Sequence, residues 1–343
     1  GGGGGGGINS INSINNTAAS ITSNSISSTS NSTNNPNASS TSAVLSAMAL
    51  TAASALATDG SLITSLVDGT KASLANRDLY ARRYKGVSIC LSALSKALSG
   101  NFVNFGIFDL YGDPCFKDAL VACLAMALTA SVSDLLSFRK LSRSYFSLIE
   151  ALAAAHATLL CTQDTPVFAF ILRSLDAGLR SLESEVSTSC ASALDNLGSF
   201  YFRNVITGGA DSHILSLPQH IAVAAQKLLE HISIQPDLFA APLSTLLEIS
   251  FFEDPKNQWS LSRPMLSLVL INENRYNEIV SRILRGQSPE AQARVAAGLE
   301  KLMEGVQRNL DPKNKDKFTQ NLTLLRHECR SPGTGTGGGG GSA

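Results

Sequence analysis

The chain has 343 residues, with 27 Lys and Arg against 27 Asp and Glu, a formal net charge of zero and a sequence pI near 7.1. A balance of this kind argues against a general nucleic-acid binder, which needs a basic footprint. Apolar runs such as residues 119–130 are too short to span a bilayer, and no secretory leader is visible, so no membrane insertion is expected.

Residues 1–42 open with seven glycines and continue in Ser, Asn, Thr, Ile and Ala without a charge; the first charged residue is Asp59. Such a tract buries too little apolar surface to offset its ordering entropy and is expected to be disordered. The Gly- and Thr-rich tail, 331–343, reads the same way. The first residue is glycine rather than methionine, the mark of a fragment or an incomplete gene product. Between the two tracts, residues 43–330 are long enough for one large domain or one continuous repeat array.

Residues 43–57 and 61–75 are rich in small residues and read as two weakly patterned helices. Residues 84–98 form a helix that stops at Ser99-Gly100. The aromatic stretch 101–111 is a short helix or a packed loop. Asp113-Pro114 then opens a helix through Thr129. The clearest periodicity lies in 136–160, where Phe138, Leu141, Tyr145, Leu148, Ile149, Leu152 and Leu159 fall on one face of a single expected helix. Thr165-Pro166 starts the next, with Phe168, Ile171, Leu172, Leu175, Leu179 and Leu182 expected to face inward. Residues 184–206 form another, broken at Gly208-Gly209, and 211–218 form a loop. A helical pair, 218–234 and 236–252, is followed by one helix over 257–284 with Pro264 in an early turn or at a kink. Ser288-Pro289-Glu290 opens a helix through Leu310, and Asp311-Pro312 introduces the last, ending near Cys329.

No alternating β-branched run and no Asn-Gly hairpin turn is present. Short Pro, Gly and Asp turns join successive helices at roughly the 40–47-residue spacing of HEAT-type hairpins. A single hairpin cannot bury its own apolar face, and stacked hairpins can. The expected fold class is therefore all-α, an α-α superhelix or HEAT-repeat solenoid.

Candidate chemistry is sparse. The six cysteines, Cys90, Cys115, Cys123, Cys161, Cys190 and Cys329, contain no C-x-x-C pair and no zinc-ligand spacing with histidine, and read mostly as buried free thiols. His156 reads as a packed histidine. His213, His220 and His231 are spaced by seven and eleven, which gives metal ligation no support. The glycine tracts lack the Lys-Ser/Thr and strand context of a phosphate loop. Asp211, Glu253 and Asp254 read as turn and cap residues, and Phe251 and Phe252 as core. Trp259 reads as an inter-helix packing anchor rather than a binding hot spot. Arg263 and Lys256 are candidates to face a partner. Residues 301–330 carry seven Lys or Arg against four acids, read as a solvated face rather than a patch for an acidic partner. No catalytic, cofactor-binding or metal-binding residue is assigned, and the residues that contact cargo or other partners are left unassigned.

Five ordered blocks carry a resemblance. They are YARRYKGVSICLSALSKALSGNFVNFGIFDLYGD (80–113), SDLLSFRKLSRSYFSLIEAL (133–152), ILRSLDAGLRSLESEVSTSCASALDNL (171–197), FEDPKNQWSLSRPMLSLVLINE (252–273) and LMEGVQRNLDPKNKDKFTQNLTLLRHEC (302–329). Over residues 80–330 the chain resembles the C-terminal end of the exportin-7 family, of the importin-β (karyopherin) superfamily. Residues 1–79 match nothing in that family, and 208–235 match it loosely.

The resemblance implies a non-enzymatic nuclear transport receptor that shuttles between nucleus and cytoplasm. Its inner face would grip Ran-GTP and protein cargo, with Ran contacted mainly through repeats upstream of this region. Its outer grooves would accept Phe-Gly nucleoporins. The two binding events would be coupled through one flexible array. A HEAT-repeat scaffold without Ran dependence is the alternative, and fold alone leaves a grafted enzymatic site open.

Overall fold

The computed structural model describes residues 78–100, 105–207, 217–253 and 257–330. The two low-complexity tracts, the helices expected at 43–57 and 61–75, the Gly208-Gly209 break, and Asp211, His213, Asp254 and Lys256 lie outside the described residues.

The described chain is helical, with no strand among the described residues. In order the helices are α1 (Lys85–Ser99), α2 (Phe105–Leu110), α3 (Cys115–Leu128), α4 (Val132–Ser137), α5 (Arg139–Ala155), α6 (Ala157–Cys161), α7 (Thr165–Leu179), α8 (Ser184–Tyr201), α9 (Gln219–Ile234), α10 (Ala240–Phe252), α11 (Gln258–Ile271), α12 (Glu273–Arg285), α13 (Pro289–Leu302) and α14 (Pro312–Arg330). A π-helical turn, Tyr80–Tyr84, leads into α1, and a second, Phe202–Ile206, continues α8.

These helices pack in two rows. The first is α1, α5, α8, α11 and α14, each packed along its neighbour. The second places α3 against α1, α7 against α8, and α10 against α7 and α11, with α12 beyond α10 and α13 on α14. Contact is more extensive between members of the first row than between members of the second, so clefts open along the second. This is the layout of a HEAT-type solenoid, in which each hairpin covers the apolar face of the next.

Small residues set the close spacing of helices within the first row and between the rows. A Cβ at Gly198 of α8 would lie 3.0 Å from Ser267 Oγ of α11, and one at Gly178 of α7 would collide with Cys190 Sγ and with Phe146. Serines line these contacts and satisfy their hydroxyls locally. Ser174 donates to Ile171 O at 2.7 Å and also meets Tyr145 Oη at 2.8 Å. The apolar side chains between the rows include Leu91, Leu120, Tyr145, Phe146, Phe168, Leu175, Leu194, Leu247, Met265, Leu302 and Phe318, all at most 1% exposed. Each such side chain contributes about 1.5–3 kcal/mol of burial.

Several expectations are corrected. The helix expected over 136–160 is three helices, broken at Phe138 (φ −102°, ψ 97°) and His156 (φ −135°, ψ 40°). The inward side chains of the middle piece are nevertheless those read from periodicity: Leu141, Tyr145, Leu148, Ile149 and Leu152 are buried. The helix expected over 257–284 is α11 and α12, separated at Asn272 (φ −133°, ψ 45°). The two are different in kind: α11 is buried around most of its circumference, whereas α12 exposes a charged face, so no single helix axis could serve both. Pro264 is buried inside α11. The helix opened by Ser288 ends at Leu302, well before Leu310, and Gly305 turns the chain at φ +68°, a conformation L side chains rarely adopt. Leu182, expected inward, is 103% exposed, because α7 stops at Leu179 and Leu182 lies in the turn to α8.

The repeat spacing is also irregular. First-row helices begin at Lys85, Arg139, Ser184, Gln258 and Pro312, at intervals of 54, 45, 74 and 54 residues, of which the second alone falls within 40–47. Short helices between the rows lengthen the period, and α9 accounts for the longest interval. That helix docks on α6 and α7 through His231, which is fully buried. Its Nε2 lies 3.0 Å from Cys161 O, and its Nδ1 lies 2.8 Å from Thr165 Oγ1. A carbonyl only accepts, so Nε2 carries the proton and Nδ1 accepts from the threonine hydroxyl. The ring stacks on Phe168 at 4.7 Å.

Candidate functional site

A groove runs across three second-row helices, α7, α10 and α12. Its position follows from local sequence. Pro236 sits in the tight turn that carries the chain from α9 into α10. The break at Asn272 swings α12 away from the buried α11, so that α12 flanks α10. On α12 the apolar residues Tyr276, Ile279, Val280, Ile283 and Leu284 pack inward, leaving Arg275, Glu278, Arg282 and Arg285 on the open side.

The groove has two ends of different chemistry. The first, about 330 Å³, is walled mainly by carbon from Leu172, Pro236, Leu238, Ala241 and Pro242. The second, about 630 Å³, lies between α10 and α12 and is lined by Ser244, Thr245 and Ile279 together with Arg275, Glu278, Arg282 and Arg285. Asp176 and Asp237 border both. Burial raises the Asp176 carboxyl above its ordinary range, against the lowering effects of the Thr245 hydroxyl and Arg180.

The guanidinium groups here divide into two sets. Arg275 holds Asp237 at 2.9 Å and Glu278 at 2.8 Å, and the Glu278 hydrogen bond is the main cause of its raised pKa. Arg173, Arg282 and Arg285 instead donate to neutral oxygens: Gln235 Oε1 at 2.9 Å, Ser244 Oγ at 3.2 Å and Ser281 O at 3.2 Å. Elsewhere several arginines meet carboxylates. Arg143 binds Glu183 and Glu185, Arg180 binds Glu248 and Glu253, Arg263 binds Asp316, and Arg308 binds Glu273.

Other residues singled out from sequence fall apart from this groove. His156 stands at the α5–α6 break with its ring 5.0 Å from that of Phe116. His220 borders a separate cleft, about 470 Å³, with Thr158, Leu159, Thr162, Gln219 and Val223. Trp259 corrects the packing-anchor expectation: it is 52% exposed, with the Arg263 guanidinium 4.7 Å above its ring. Phe251 belongs to the core, and Glu253 is an ion-pair partner of Arg180. Cys123, Cys161 and Cys190 are buried free thiols, as expected of most of the cysteines, whereas Cys90 and Cys115 are exposed and depart from that reading. The side chain of Cys329 lies outside the described part.

Burial pushes the Cys161 thiol up to about 12 and that of Cys190 well above the ordinary value, which suppresses the thiolate that nucleophilic chemistry needs. No group of three His, Cys, Asp or Glu among the described residues is placed to hold a metal ion. No described helix is long and apolar enough to cross a membrane. The groove offers shape, an apolar cleft and charge, which are the means of a binding surface.

No family model matches the chain, and no solved structure matches it. Relatives are found among known proteins. Human Ran-binding protein 17 is 40% identical over 256 residues, covering 75% of this chain and 23% of that protein. Exportin-7-B of Xenopus laevis is 40% identical over 259 residues, 76% of this chain and 23% of the relative. Ran-binding protein 16 of Drosophila melanogaster is 35% identical over 253 residues, again 23% of its length. The chain thus spans about a quarter of the length of the curated relatives it matches.

Proposed function

For this chain, which over the matched region belongs to the exportin family of the importin-β superfamily, we propose a role as part of a nuclear transport receptor carrying protein cargo through the nuclear pore in a Ran-GTP-dependent manner. The observation that carries this reading is 40% identity over 256 residues to a protein named Ran-binding protein 17 and over 259 residues to one named exportin-7-B, on a two-row helical array. The reading places the segment at the C-terminal end of the receptor. Ran-GTP is gripped mainly by upstream repeats, and the described helices from Lys85 to Arg330 continue the superhelix. The protein shuttles between nucleus and cytoplasm and has no catalytic step of its own.

The groove supplies the third partner. An apolar cleft of about 330 Å³ between second-row helices has the size for one aromatic side chain. We assign Phe-Gly nucleoporins to it, with the phenylalanine seated among Leu172, Leu238, Ala241 and Pro242. The alternative, a HEAT-repeat scaffold without Ran dependence, uses the same fold without pore passage. Entry into the nuclei of permeabilised cells separates the two. The receptor reading predicts that the protein crosses the envelope faster than an inert protein of equal mass, and equal rates contradict it.

A further inference from the structure

The charged end of the groove has no assigned ligand. Arg282 and Arg285 lie one turn apart on α12 and line the 630 Å³ end, and neither has a carboxylate partner among the described residues. Arg173 borders the other end and donates to a neutral amide oxygen, with no carboxylate partner among the described residues. Although Asp176, Asp237 and Glu278 line the same end, an arginine resting on a serine hydroxyl or a backbone carbonyl has its donors on neutral acceptors and gives up little to exchange that contact for a carboxylate. The two ends are contiguous, sharing Asp176, Asp237 and Ala241, so one extended segment can occupy both.

We propose that this groove selects an extended peptide in which an apolar side chain is followed by one or two carboxylates: the apolar group enters the cleft at Leu172, Leu238 and Pro242, and the carboxylates bind Arg282 and Arg285. The occupant is therefore an acidic-apolar linear segment of a partner protein. Charge complementarity argues for it. Arg275 is already neutralised by Asp237 and Glu278, so those acids repel a carboxylate from the middle of the groove and leave Arg282 and Arg285 as its place. The inference rests on the reading that the apolar cleft accepts a Phe-Gly segment, and it adds selectivity for the residues C-terminal to the phenylalanine.

The test is fluorescence anisotropy with the whole chain and two labelled synthetic peptides, one carrying Phe-Gly followed by two glutamates, the other identical with two glutamines. The glutamate peptide is expected to bind roughly tenfold more tightly at about 50 mM salt, and that preference should shrink as salt rises. The double variant Arg282→Gln, Arg285→Gln is expected to lose the preference and keep its affinity for the glutamine peptide. Both residues are on the open face of α12 without an ion pair among the described residues, and an unchanged melting temperature shows that the variant is folded. Equal binding of the two peptides by the unaltered chain overturns this inference and leaves the Phe-Gly assignment standing. A preference that survives in the double variant also overturns it. Binding of neither peptide overturns both.

Discussion

Lys315 of α14 reaches past α11 to Asp195 of α8, placing Nζ 2.6 and 2.7 Å from the two carboxylate oxygens. These helices stand two steps apart in the first row, and α11 lies between them. Ser199 Oγ lies 3.4 Å from the same ammonium, and the Ser267 hydroxyl donates to Asp195 Oδ1 at 3.2 Å, so α8, α11 and α14 share one polar knot. The side chains are only 11% and 20% exposed. Lys315→Met leaves a largely buried carboxylate without its cation and is expected to destabilise the protein by about 2–4 kcal/mol. Adding Asp195→Asn should recover part of that loss. Urea unfolding of the single and double variants checks both statements; a Lys315→Met midpoint equal to wild type would show that the knot is only a surface pair.

Gly178 and Gly86 make a contrasting pair. A Cβ at Gly178 would strike Cys190 Sγ and Phe146, both in the core, whereas one at Gly86 of α1 meets nothing within 4 Å. Gly178→Ala is expected to cost about 1–3 kcal/mol through overpacking. Gly86→Ala should stabilise by up to about 1 kcal/mol through helix propensity. Thermal unfolding of the two variants should move in opposite directions.

Burial sets the pH dependence of the α9 docking. The His231 pKa is lowered, first by burial; the Cys161 carbonyl raises it, Lys227 lowers it, and Glu230 and Asp164 raise it. The folded protein therefore holds the neutral ring, and the unfolded chain binds the proton at higher pH. The contribution of His231 is complete above about pH 6.5 and declines as pH falls below that value toward the lowered folded pKa. His231→Gln should flatten the slope of stability between about pH 7.5 and 5.5 relative to wild type. An identical slope would show that another group governs acid sensitivity.

Leu148, Leu302 and Leu182 show what periodicity can and cannot settle. Leu148 and Leu302 are fully buried, and an aspartate at either is expected to cost more than about 3 kcal/mol by placing a charge in the core. Leu182 continues the same pattern by sequence but is fully exposed, and Leu182→Asp should change stability by less than about 0.5 kcal/mol. Melting temperatures of the three variants test the assignment of faces directly.

The same contrast explains how much of the molecule was legible. Helix faces were readable where one stripe is buried, as along Leu141, Tyr145, Leu148 and Leu152. Breaks at Phe138, His156 and Asn272 were not, because none carries Pro or Gly. Their irregular backbone is held by tertiary packing, as when His156 rests on Phe116. The end of α7 was missed because Leu182 keeps the hydrophobic spacing beyond the last helical turn. The groove was invisible in sequence because it is built from α7, α10 and α12, which are far apart along the chain. One signal was available: Arg275, Arg282 and Arg285 recur on one face of an amphipathic stretch. Trp259 reads as a packing anchor by size alone, and its sequence neighbours do not show that it lies on the open side of α11.

The measurement that bears most directly on the receptor reading is retention of Ran by the whole protein that carries this array, with Ran loaded with GTP or with GDP. The account predicts selective retention of the GTP form, with cargo recovered alongside it. Equal retention of both forms, or of neither, would contradict it and assign the same helical array to a scaffold.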